Sequence, residues 1–516
     1  MKKYIEIACL LAIAFIAGCI DDRGNYDYVP ANEVFPVKIS GLDTSFDCMV
    51  GDVIRAMPTV KGVEGEQDLK YTWYVYQRGV AFSAEDTIAH TKDLEWLVDR
   101  DVNTYNLLFE VRDTLRDLFV RKTLKLTVGT AYSTGWFVLE DDGMNTDMDL
   151  VAGGKTTEDL MMTFGNGRME GKALKMDYKA RHPQEVENSD GTVTKAYKKA
   201  FTVISAKDMR VYDAQNMSVL KYRNDCFYEM PANLTPLDIA TESSSDEVNI
   251  GGKFYLMSSG NIGKFGYPMM GTDGTENYRI FKEGVLYSQH CYLWDEVSCS
   301  FVYAYTGNSA FTLLNEAGDG EANFGAVNRT GCEMKHFRYR NYTYKYNSIP
   351  ATWTAYALWR TGEGKYEILD LSFVATNYPI KGKYSLPAGS GLPDAEVVET
   401  HQTETKLFFS KDNRLYEHLV NSRTDLADRE RVVYTFPAGE TISCIRHLVV
   451  TTKNVEEKMN RLVVLTNSAS GWKLYGFEFI NGGGEFDRSV SPEKAMIGKG
   501  LGQARYVMRM DNNNSF

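Results

Sequence analysis

The sequence predicts an all-β chain, a small sandwich followed by a seven-bladed β-propeller. Three observations predict it. Aromatic residues make up 12% of the 516 residues, with 32 Tyr and 25 Phe against 13 Pro, a mixture that favours strands over helices. Residues 30–130 break into short apolar runs bounded by turn residues. Beyond Gly129 a hairpin unit recurs seven times at a spacing near 50 residues. Hydrophobic content of 43% and charged content of 24% supply a core and exclude wholesale disorder. The 57 Lys and Arg against 69 Asp and Glu leave a net charge of −12, which repels phosphate backbones, so no nucleic-acid partner is expected.

The first residues set the expected compartment. Lys2 and Lys3 precede an apolar run from Ile7 to Ala17, too short to span a bilayer, which takes roughly 20 residues. The run ends in Ile16-Ala17-Gly18-Cys19, which resembles a bacterial lipobox. That resemblance implies residues 1–18 as a signal peptide cleaved before Cys19, lipidation of the Cys19 sulfur, and residues 19–30 as a tether. Acyl chains add about 0.8 kcal/mol per buried methylene and hold a protein on a membrane without a spanning helix. Asp21 and Asp22 resemble the export signal of Bacteroidetes surface lipoproteins, which implies an outer-membrane protein facing the cell exterior. Read as a solvated tether instead, the same acids leave the protein facing the periplasm.

Cys48, Cys226, Cys291, Cys299, Cys332 and Cys444 are too few for a disulfide scaffold in a chain this long. Most are expected as buried free thiols, although pairing among Cys291, Cys299 and Cys332 stays open.

Residues 31–130 read as a sandwich of strands at Val34–Ile39, Val53–Val60, Tyr71–Tyr76, Leu94–Val98, Leu107–Val111 and Leu124–Val128, with Trp73 as the core anchor. Tyr71-Thr72-Trp73 and the later run from Tyr105 through Val111 to Asp113 resemble the polycystic-kidney-disease-type (PKD-like) immunoglobulin fold. Such a module spaces and orients the domain on its C-terminal side.

Residues 131–516 carry the repeats, beginning near Trp136, Phe201, Phe254, Phe301, Thr354, Leu407 and Arg461. Their separations are 65, 53, 47, 53, 53 and 54 residues, and a hairpin repeat of that period is propeller-like because one blade cannot bury both its faces alone. The one long interval holds the polar stretch His182–Gly191, expected as an exposed insertion. The sixth unit reads as four strands, Leu407–Ser410, Arg414–Leu419, Arg431–Phe436 and Thr441–Leu448.

Chemistry-bearing motifs are few. Ser410-Lys411-Asp412 opens like an Asp-box but lacks its Gly and Trp, and a hairpin turn favours Asp and Asn anyway. Cys291, Cys299, Cys332, His336 and His290 are soft-ligand types without a compact zinc spacing, so no metal site is assigned. Glu140, Asp141, Asp142, Asn145, Asp147 and Asp149 could offer oxygens to calcium, but Gly143 falls too early for an EF-hand loop and a solvated turn is the default reading. No nucleophile elbow, zinc-protease helix or nucleotide loop is present, so no catalytic residue and no cofactor is assigned. The candidate ligand surface is the aromatic crowd of Tyr339, Tyr342, Tyr344, Tyr346, Trp353 and Trp359, interleaved with Arg338, Arg340 and Lys345. Aromatic faces take sugar rings or peptide side chains, and alternation along a strand would equally serve a blade core.

Lipobox, acidic start, sandwich and repeats together resemble the PKD-like family of Bacteroidetes surface lipoproteins. The resemblance implies a non-catalytic accessory subunit of a SusC-like TonB-dependent transporter with its SusD-like lipoprotein, binding peptide or oligosaccharide. The alternative is a surface hydrolase or lyase acting at the propeller's mouth.

Overall fold

The computed structural model describes residues 35–516 except 63–68, 133, 188–190, 242–244, 259–261, 288–289, 306, 317–323, 342–352, 373–378, 451–458, 481–483, 512–513 and 516. The chain divides after Val128 into two compact units.

The first unit is an immunoglobulin-like sandwich. A five-stranded sheet runs in the order Ser45–Met49, Leu118–Gly129, Asn103–Asp113, Leu69–Gln77 and Thr87–Ala89, beside two-stranded pairs formed by Val53–Ala56 with Leu94–Leu97 and by Lys38–Ser40 with Thr59–Lys61. The run expected as one strand from Val53 to Val60 is split at Met57-Pro58, where proline has no amide to give the ladder. Trp73 is fully buried, its ring 4.4 Å from that of Phe109 and its Nε1 donating to the Thr91 carbonyl at 3.1 Å.

The second unit is a β-propeller. Among the described residues its strands form seven antiparallel sheets, each built from consecutive segments with one exception. Blade one contains Gly135–Asp141, Asn145–Ala152 and Lys155–Thr157, and its innermost strand is Gln503–Asp511 from the far end of the chain, in register from Gly135 opposite Met510 to Asp141 opposite Gln503. The other innermost strands are Ala173–Glu187, Pro236–Thr241, Val285–Tyr287, Glu333–Asn341, Val398–Thr400 and Thr441–Val450, in blades two to seven.

Strands with both faces covered alternate between two apolar neighbours, and seven separate cores result. Phe137 and Leu150 meet Phe201 and Met176 between blades one and two, and Ile204 meets Ile239 and Val248 between two and three. Leu256 meets Leu293 between three and four, and Trp294 meets Trp359 between four and five. Leu358 meets Leu407 between five and six, and Phe408 meets Leu462 between six and seven. Val463 and Trp472 of blade seven pack on Trp136 and Val138 of blade one, which closes the ring.

Three sequence expectations are corrected by the strand order. In the sixth unit, Thr441–Val450 is the innermost strand of blade seven, and the true first strand of blade six is Val398–Thr400. The repeats beginning at Phe254 and Phe301 start on third strands, whereas the other five start on second strands. Of the stretch expected as an exposed insertion, residues 182–187 lie in the long strand Ala173–Glu187, paired with Val193–Ser205, and His182 and Pro183 are buried there.

Candidate functional site: the charged channel

Each innermost strand turns alternate residues toward the hub, and in all seven blades one of those residues, or one just beside the strand, is polar. Lys175 and Asp177 come from blade two, Asp238 from blade three, Glu283 from the approach to blade four, Arg338 from blade five, Glu399 from blade six, Arg446 from blade seven and Tyr506 from blade one. Solvent still reaches them: the Lys175 and Asp238 side chains are 28% and 17% exposed, those of Arg338 and Glu283 31% and 12%.

These groups bind across blade boundaries. Lys175 Nζ lies 2.7 Å from Asp238 Oδ1, and Asp177 accepts from the Thr241 amide at 2.8 Å. Glu283 takes Arg338 Nη2 at 2.9 Å on one oxygen and the Phe337 amide at 2.9 Å on the other. Arg446 Nη1 donates to the Val507 carbonyl at 2.8 Å, with its guanidinium 5.2 Å from the Tyr506 ring centre.

The electrostatics reflect that pairing. Burial opposes the charge on Lys175, but Asp238, Tyr506 and Asp177 outweigh it and raise its pKa. Arg338 and Arg446 are also raised against burial, the first by Glu283, Glu399 and Asp238, the second chiefly by Tyr506 and Glu399. Burial raises Asp177 and Glu399, partly offset by Lys175 for the former and by Arg338 and Arg446 for the latter. Behind the wall, burial pushes the Glu247 carboxyl up to about 8, beside the Cys291 thiol that donates to it. The belt therefore keeps three cations charged and ties two of its four acids, Asp238 and Glu283, directly to them.

Of the predicted ligand residues, Tyr339 and Trp359 are described with their side chains. Tyr339 alternates with Arg338 and Arg340 and packs its ring into the core between blades four and five. Trp359 is a correction: it is 1% exposed, donates from Nε1 to Glu367 at 2.9 Å and packs 5.8 Å from Trp294, so neither face is open to a ligand. Trp353 opens the strand Trp353–Arg360, while Tyr342, Tyr344, Tyr346 and Cys19 lie outside the described residues.

The acidic run of blade one is engaged by protein partners. Asp141 meets Arg505 at 2.9 Å, Asp147 meets Arg168 at 3.2 Å and Asp149 accepts from Trp472 Nε1 at 3.0 Å. Among the described residues no three His, Cys, Asp or Glu side chains gather as metal ligands would. Asp412 and Asn413 form a hairpin turn, Asp412 at φ +54° and Asn413 donating to the Phe436 carbonyl at 2.6 Å, which explains the Asp-box-like start. Sequence reasoning noted Arg338 and Arg340 but missed the belt. Its one local trace is the alternation Lys175-Met176-Asp177-Tyr178-Lys179, charged on one face and apolar on the other.

Comparison with known proteins gives one family match, to a family described as the PKD-like family, over residues 19–173. No curated protein matches the chain. Among solved structures it is similar to a quinonprotein alcohol dehydrogenase-like protein from Bacteroides thetaiotaomicron, at 11% identity and TM-score 0.40, covering 91% of this chain and 96% of that one. It is also similar to Hsv2p of Kluyveromyces lactis, at 8% identity and TM-score 0.35, covering 72% and 94%.

Proposed function

We propose that this chain is a non-catalytic, lipid-anchored protein of the outer-membrane surface, an accessory binding or scaffold subunit beside a SusC-like TonB-dependent transporter and its SusD-like lipoprotein. The observation that carries the non-catalytic reading is the channel belt. A general acid or base needs a proton free to move at a reacting atom. In the hub, Asp238 and Glu283 are tied to Lys175 and Arg338 at 2.7 and 2.9 Å, which suits a rigid wheel better than a reaction centre.

The Ile16–Cys19 motif supports the anchor, and the family match begins at Cys19, the residue that would carry the lipid. Among the described residues no helix is long and apolar enough to cross a membrane. Tethered beside a transporter, the propeller would raise the local concentration of a peptide or oligosaccharide without tight affinity. Tyr342, Tyr344, Tyr346 and Trp353 are the rings we assign to that ligand.

Affinity capture of the lipidated protein from gently solubilised outer membrane tests the reading. A transporter and its lid lipoprotein should co-purify, and the Tyr342→Ala, Tyr344→Ala, Tyr346→Ala triple variant should lose ligand retention while keeping the fold. New products from peptide or glycan pools, formed by the wild type and lost in Glu399→Gln, would replace it with a hydrolase or lyase.

A further inference from the structure

The six cysteines of the folded part are free thiols, and their places differ. Cys48 sits in the sandwich, Cys226 between blades two and three, Cys291 between three and four, and Cys444 between seven and one. Cys299 and Cys332 alone among them share a core, the one between blades four and five.

Their contact is built by two turns. Cys299 closes the hairpin turn between His290–Asp295 and Ser300–Tyr305, and Cys332 directly precedes the innermost strand of blade five. The Thr330 amide and hydroxyl both donate to the Cys299 carbonyl, at 3.2 and 3.3 Å, and the Cys332 amide donates to that same hydroxyl at 3.2 Å. The Cys299 thiol donates to the Glu296 carbonyl at 3.5 Å, and it lies near enough to the Cys332 thiol in their shared core that, after burial, Cys332 is the next influence raising it.

Local backbone preference gives a second sign. Cys299 holds φ +49°, a left-handed position that a turn usually gives to Gly or Asn because a Cβ is strained there.

We propose that Cys299 and Cys332, free thiols in this structure, are oxidised to a disulfide that fastens the turn of blade four to the entry of blade five. The oxidant is a small-molecule or protein disulfide. Half-buried Cys299, as thiolate, attacks one sulfur of the donor, forming a mixed disulfide and releasing one donor thiol. Cys332, as thiolate, then attacks the Cys299 sulfur, closing the bond and releasing the second donor thiol. The protein loses two electrons and two protons, and the donor disulfide gains both.

The purified full chain, incubated with oxidised glutathione and digested without reduction, tests this in vitro and independently of where the protein resides. One cross-linked peptide pair, Cys299 with Cys332, should appear with the mass of two hydrogens removed, and Tm should rise by several degrees over the reduced sample. Cys299→Ser and Cys332→Ser should each abolish the redox-dependent shift, whereas Cys291→Ser should keep it. Recovery of both thiols free, a stable glutathione adduct on Cys299 in place of the cross-link, or pairing through Cys291 would overturn the proposal. The wild-type peptide map decides the matter even if a serine variant fails to fold.

Discussion

Lys175 shows what a single residue of the hub contributes. Its ammonium spans the boundary between blades two and three, and removing it strands Asp238, whose side chain is only 17% exposed. Breaking a fully buried pair costs roughly 3–5 kcal/mol, and water in the hub reduces that, so Lys175→Met should destabilise the propeller by about 2 kcal/mol. Because the penalty lies in the stranded acid, Lys175→Met with Asp238→Leu should cost less than the sum of the single changes. Urea midpoints of the three variants check this, and strictly additive losses would refute an energetic pairing. Glu247 makes a pH prediction at the same scale. Its carboxyl titrates near 8 in the folded chain against 4.5 for an ordinary glutamate, so between those values the native state holds a proton that the unfolded state has released. Its contribution is therefore fully present below pH 4.5, declines as pH rises toward about 8, and is constant above, with a slope of at most about 1.4 kcal/mol per pH unit. Glu247→Gln should flatten the fall in urea midpoint between pH 5 and 8, and a slope unchanged from wild type would show that Glu247 is not the group responsible. Burial also raises Glu140 and Asp149, to about 8 and about 7, so the slope should shrink and not vanish.

Hairpins are the element on which the fold depends, and their turns differ in tolerance. Gly471 turns the central hairpin of blade seven at φ +111°, and a Cβ there would stand 2.1 Å from the Gly500 carbonyl oxygen of a neighbouring strand. Gly143 turns the equivalent hairpin of blade one at φ +94° with nothing within 4 Å. Gly143→Ala should cost only backbone strain, about 1 kcal/mol, whereas Gly471→Ala must also push a sheet strand aside and should cost about 3 kcal/mol or more. Thermal melts of the two variants separate the contributions; equal losses would mean that strain alone matters. The same elements show what was legible beforehand. Trp136, Phe201, Thr354, Leu407 and Arg461 mark second strands, because a central strand covered on both faces carries the densest apolar run. In blades three and four the third strands, around Phe254 and Phe301, are equally apolar, and the reading slipped by one strand there. Trp359 was misplaced for a related reason. Alternation reveals that Ala355, Ala357 and Trp359 share a face, but not that Tyr356 and Leu358 on the other face are also covered. The belt was illegible because its members come from seven blades, spread from residue 175 to residue 506, and meet only when the wheel closes.

At the scale of the whole propeller, closure is the step on which those contacts depend. Blade one lacks its innermost strand until Gln503–Asp511 returns to pair with Gly135–Asp141, and Val507 then joins the core shared by blades seven and one. Without that strand, Gly135–Asp141 would present an open edge with seven fully buried residues along it, a template for pairing with other chains. Neither would Tyr506 complete the hub beside Arg446. A chain ending at Leu501 should therefore lose the cooperative unfolding transition of the propeller and elute as soluble aggregates, while the sandwich, which has its own core around Trp73, keeps its melting transition. Adding a synthetic peptide of residues 502–516 during refolding should restore a monomer by supplying the missing edge in trans, whereas a peptide with Ala504 and Val507 changed to Asp should not, since both side chains are buried in the closing core. Differential scanning calorimetry with size-exclusion chromatography reads both outcomes. A truncated chain that melts like the full-length protein would show that six complete blades hold the ring without the seventh contact, and the closure argument would have to be abandoned.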